Sequence, residues 1–133
     1  MTFMISLMIT AGQINSTSDI DKNYLQCKDL VEKAASEGVK LLCLPECFDF
    51  IGLPGEALKM AEPLDGPLMS RYRQLAVDNR IWLSLGGFHE SGPDSSRLRN
   101  THCIVNDQGT LWSFCVPNVS RQHCCRISQN THV

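Results

Sequence analysis

The stretch Val39 to Leu44 constrains this chain more than any other. It is apolar on both alternating faces, begins just after Gly38, and runs into Pro45-Glu46. A strand that is apolar on both faces reads as a central, parallel strand. Before it, Asp19 caps a helix whose apolar stripe is Ile20, Tyr24, Cys27, Val31 and Ala34, at spacings of four, three, four and three. Phe3 to Gln13 reads as a buried first strand. After it, Phe48 to Leu64 reads as a loop with a short helix over Glu56 to Ala61. Asp65-Gly66-Pro67 starts another helix with buried Leu68, Tyr72, Leu75 and Ala76, its proline suited to the first turn. Ile81 to Gly87 is a third strand, and Glu90 to Arg97 a Gly/Pro/Ser loop. Thr101 to Val105 and Thr110 to Phe114 flank Asn106-Asp107-Gln108-Gly109, a hairpin turn signal. The expected fold is therefore α/β, with a mainly parallel sheet and an antiparallel hairpin at its edge.

At 133 residues the chain suits one domain. Apolar content of 43% and charged content of 20% place it with globular chains rather than disordered ones. A net charge of −2 with both signs interspersed argues against a nucleic-acid partner. No apolar run approaches membrane-spanning length, and the opening lacks the basic start and cleavage pattern of a signal peptide. Seven cysteines, an odd count without regular spacing, make a poor disulfide framework and read as reduced thiols inside the cell. A cytoplasmic location is the default expectation, with an upstream organellar targeting segment left open. Residues 1–115 read as the domain. Residues 116–133, rich in Ser, Asn, Gln, His and Cys, read as a divergent, disordered tail.

Candidate chemistry centres on Glu46. The carboxyl end of a strand is where α/β proteins place reactive groups. A carboxylate fixed there and partly desolvated suits a general base. Cys47 tempts as its nucleophile, but neighbours on an extended segment point to opposite sides, so it reads as a small apolar filler. Nothing brings Cys115 near Glu46. His102-Cys103 and His123-Cys124-Cys125 lack the ligand spacing of a zinc site, and no metal or cofactor is expected. Gly86-Gly87 lacks the spacing of a dinucleotide loop and reads as a bend where backbone meets backbone. Ignoring any family, the strand and helix order also permits a small flavodoxin-like binding domain.

Several of these segments resemble the nitrilase, or carbon–nitrogen hydrolase, superfamily, and within it the branch that hydrolyses deaminated glutathione. They are Ala11-Gly12-Gln13 with Ser16-Thr17 and Asn23, Leu44 to Phe50, Ala61 to Pro67, Ile81 to Glu90, and Asn100-Thr101-His102. The resemblance covers about residues 4 to 111. It implies the N-terminal portion of an α-β-β-α sandwich and a Cys-Glu-Lys triad acting on a small-molecule amide. In such a triad a thiolate attacks the amide carbonyl, a glutamate moves the proton, and a lysine faces the developing oxyanion. Only the glutamate carries over, onto Glu46 as general base.

The lysine position falls on Pro117 when counted without a gap, and the nucleophilic cysteine belongs to a segment this chain does not contain. The expectation is a chain truncated before both, inactive as an amidase alone. The alternatives are a non-catalytic partner that docks on a full-length relative, as homo- or hetero-oligomer, or a non-functional truncated product. With half of the sandwich absent, one sheet face and its strand edges would stay open.

Overall fold

The computed structural model describes residues 6–53, 55–94, 96–116 and 127–130. They form β1 (Ile9–Ala11), α1 (Ile20–Ser36), β2 (Leu41–Cys43), α2 (Glu56–Met60), α3 (Pro67–Asn79), β3 (Trp82–Ser91), β4 (Leu98–Val105), β5 (Leu111–Val116) and β6 (Ile127–Asn130). One six-stranded sheet runs in the order β1-β2-β3-β4-β5-β6. β1, β2 and β3 are parallel, and β3 to β6 pair antiparallel. The α/β class is as the sequence predicts. The antiparallel part is wider than the hairpin, because β4 also returns antiparallel to β3.

Local chemistry accounts for the elements. The Asp19 side chain accepts from Lys22 N at 3.0 Å, satisfying a donor that the first turn of α1 would leave unpaired. Gly38, at φ +82°, sits where the chain leaves α1. Pro67 occupies the first turn of α3. In the β4–β5 turn, Asn106 Oδ1 accepts from Gln108 N and Thr110 N, and Gly109 takes φ +80°.

The core lies on one face of the sheet. Cys27, Val31 and Ala34 of α1 and Leu68, Met69, Tyr72, Leu75 and Ala76 of α3 pack against Leu42, Leu83, Leu85, Phe88, Cys103, Val105 and Leu111. Phe48 enters this layer with its ring edge-on to Tyr72, centroids 5.0 Å apart, and stacked on Phe88 at 6.2 Å.

The alternate residues of the same strands line the other face. There Trp82 and Trp112 stack with centroids 5.8 Å apart and planes 10° apart. Ile9 is 54% exposed, Trp82 41% and Phe114 38%, so among the described residues this face has no covering layer. That corrects one expectation. The opening strand is not buried: Leu7, Met8 and Ile9 are all more than half exposed. Among the described residues β1 is an edge strand paired with β2 alone, and apolar side chains become buried only where a second layer meets them.

Part of the expected tail, residues 117–126 and 131–133, lies outside the described residues. Within it Ile127–Asn130 pairs with β5, Phe114 opposite Ile127 and Leu111 opposite Asn130.

Candidate active site at the end of strand β2

Beyond β2 the chain keeps to the edge of β3. Leu44 N donates to Ser84 O at 2.9 Å and Cys47 N to Gly87 O at 3.0 Å. Between them, Pro45 and Glu46 cross β3 where its register shifts between Leu85 and Gly87. The two glycines make that crossing possible. A Cβ on Gly86 would lie 2.1 Å from Pro45 O, and one on Gly87 2.9 Å from Glu46 Cγ and 2.1 Å from Asn100 Oδ1. The pair is thus a bulge inside a longer strand, where backbone meets backbone as expected, though β3 continues to Ser91 instead of ending there.

Glu46 accepts a hydrogen bond from Asn100 Nδ2 at 2.5 Å, across 54 residues of sequence. Its side chain lies on the open face and is exposed. Among the described residues no layer stands over it, so the desolvation expected of a carboxylate following a buried strand is missing there. Among the described residues Glu46 has no ion pair and no lysine partner.

The turn that carries Glu46 is pinned from three directions. Cys47 holds φ +54°, a left-handed value that a non-glycine residue adopts at a cost of roughly 1–3 kcal/mol. Asp49, buried, accepts from His89 N at 3.0 Å and from His89 Nδ1 at 2.9 Å. Asn23, fully buried on α1, donates through Nδ2 to Asp49 O at 3.0 Å and to Thr17 O at 2.7 Å, while its Oδ1 accepts from Thr17 N at 2.8 Å. The hydrogen bond that His89 donates to Asp49 raises the His89 pKa above the ordinary value, with burial opposing it and the Asp49 and Glu46 charges adding to it.

The thiols give Glu46 no activated partner. Burial, then the Asp49 and Glu46 charges, push the Cys47 thiol up. Burial likewise raises Cys27, and pushes Cys103 up to about 12. Cys115 stands opposite Thr101, whose side chain belongs to the helix-covered face, on the far side from Glu46. His102 Nε2 lies 3.0 Å from Ser84 Oγ. Among the described residues no three His, Cys, Asp or Glu side chains gather as a metal site, and no helix is long and apolar enough to cross a membrane. Pro117 and His123-Cys124-Cys125 lie outside the described residues.

Sequence reasoning singled out Glu46 but missed the groups around it. Asn100, His89 and Asp49 stood within the quoted segments, yet only the β3–β4 register, with His89 opposite Asn100, brings them to one place.

Comparison with known proteins shows the family and the fold. A family model described as carbon-nitrogen hydrolase matches residues 8–130, beyond residue 111 where the motif resemblance stops. Deaminated glutathione amidase of Rattus norvegicus is 40% identical over 124 residues, covering 90% of this chain and 37% of that protein. The protein of the same name from Dictyostelium discoideum is 46% identical over 110 residues, covering 77% and 38% respectively. The crystal structure of the C. elegans NitFhit protein superposes with a TM-score of 0.76 at 36% identity, covering 87% of this chain and 29% of that one. The chain spans less than two-fifths of the length of these relatives. With the family match running nearly end to end and the Pro45-Glu46 crossing folded as described, the chain belongs to the carbon-nitrogen hydrolase family.

Proposed function

We propose that Glu46 is the general base of an amide-hydrolysing site whose substrate is a small acid carrying an amide, deaminated glutathione being the one for which the rat and Dictyostelium relatives are named. One observation carries the reading. The Gly86-Gly87 bulge and the Asn100 side chain together fix a single carboxylate at the carboxyl end of β2. In the chemistry that the family resemblance implies, that carboxylate takes the proton of a nucleophilic thiol and returns it to the departing amine.

This chain alone has negligible amidase activity. A positioned base contributes about 10²–10⁴ in rate, whereas losing the nucleophile of a cooperating set costs on the order of a millionfold. The test is a chimera. Residues 8–111 replace the matching segment of the rat relative, and cleavage of deaminated glutathione is followed by release of free amine. The chimera should be active, and Glu46→Gln should lower its kcat/KM by about 10²–10⁴. Full activity in the Gln variant would remove Glu46 from the reaction. Amine release by the unmodified chain, abolished by Glu46→Gln, would overturn the inactivity.

A second reading is a non-catalytic partner of a full-length relative, favoured by the exposed Ile9, Trp82 and Phe114. Co-expression with the rat relative followed by size exclusion separates the two. Co-elution supports the partner reading, and independent elution removes it.

A further inference from the structure

The Asp49–His89 pair leaves one ring nitrogen unused. Nδ1 lies 2.9 and 3.1 Å from the two Asp49 oxygens, and Oδ2 also accepts the His89 backbone N–H. An imidazole gripped this way donates its Nδ1 proton to the carboxylate and turns Nε2 away from it. Nε2 has no hydrogen-bond partner among the described residues, and the side chain retains 21% exposure.

That nitrogen belongs to the Glu46 face. His89 stands directly opposite Asn100, so the two side chains share a face, and Asn100 is the donor to Glu46. His89 also follows Gly87, the residue beneath Glu46, by two positions, a rise of about 7 Å along a strand. The neighbouring cation on β4, Arg99, is committed to Glu90. With Glu46 and Asp49 both anionic nearby, an acid entering here needs a donor to offset them.

We propose that His89 Nε2 is the anion contact of this site, receiving the carboxylate of a short-chain acid amide whose amide end lies at Glu46. Asp49 orients the ring, and the raised pKa keeps both nitrogens protonated closer to neutral pH. The proposal rests on the amide-hydrolase reading of Glu46 and adds to it the residue that receives the acid group, and so the discrimination against neutral amides.

The experiment is a nuclear magnetic resonance titration of the full chain with succinamate, butyramide and succinate, following the His89 ring and the Asn100 side-chain amide. Succinamate and succinate should both move the His89 ring, and succinamate should also move Asn100. Butyramide should bind at least about tenfold more weakly, the scale of one charged hydrogen bond. His89→Gln should erase the difference between acid and neutral amides. Asp49→Asn, which keeps the ring but loosens its orientation, should narrow it. Equal responses to succinamate and butyramide, or a His89 ring that ignores both acids, overturn the assignment without recourse to a variant. A His89 response to succinate and succinamate with Asn100 unmoved by either preserves the anion contact while removing the amide reading of Glu46.

Discussion

The two faces of the sheet are built from alternate residues of the same strands, yet they do different work. On the helix-covered face Leu83, Leu85, Phe88, Cys103 and Val105 are buried to within a few per cent of full enclosure. On the other face Trp82, Ser84, His89, Asn100 and His102 intervene, polar groups bond one another, and aromatic rings stand in solvent. One face accounts for stability and the other holds the groups with chemistry. The Leu44 to Phe50 segment joins them, sending Phe48 into the core and Glu46 to the open side.

Aromatic truncation on each face tests this division most strongly. Phe48→Ala should cost about 3–5 kcal/mol in denaturant unfolding, since a packed ring leaves a cavity. Trp82→Ala, on the open face, should cost less than about 1 kcal/mol in the monomer. Comparable losses would mean that the open face is covered in solution.

Next in size is the bulge. Gly87→Ala places a methyl group against Glu46 and Asn100 and should destabilise by roughly 1–3 kcal/mol. It should also displace the Asn100 side-chain amide resonance, which Trp82→Ala should leave in place. Asn23→Ala should cost a similar or smaller amount, about 1–3 kcal/mol, because it strands the buried carbonyl of Asp49. Its effect should concentrate in faster hydrogen exchange at Ile51, whose amide bonds Thr17 O in the same network. Uniform exchange across the sheet would argue against a local pin.

The smallest effect is the dependence on pH. Asp49 raises the His89 pKa in the folded chain above its ordinary 6.5. The stabilisation is therefore fully present below 6.5 and fades as pH rises through the folded value. The charged groups bearing on the ring are Asp49 and Glu46 from the β2 turn, while Glu90 on its own strand is paired with Arg99. Because burial of the ring opposes the effect of Asp49, the loss should stay on the order of 1 kcal/mol. His89→Gln should flatten stability between pH 6 and roughly 8. An unchanged slope would show that the pair carries no linked proton.

Much of this was legible before any coordinates. Asp19, Pro67 and the Asn106 to Gly109 turn act through bonds to near neighbours, so sequence alone places them. Val39 to Leu44 announced a central strand because both its faces are apolar. Gly86-Gly87 misled about the extent of β3, since glycine weakens a strand whether it ends or bulges. Whether β1 is buried depends on a second layer rather than on Ile9 itself. Asn100, His89 and Asp49 are recruited by strand register and a backbone crossing, and neither leaves a periodic signal.

The stacked indoles have a practical consequence. Trp82 and Trp112 are the chain's two tryptophans, and both report from the side away from the helices. Intrinsic fluorescence is thus a one-sided gauge. Anything that settles over the open side should shift the emission to shorter wavelength, while rearrangement beneath α1 and α3 should pass almost unseen.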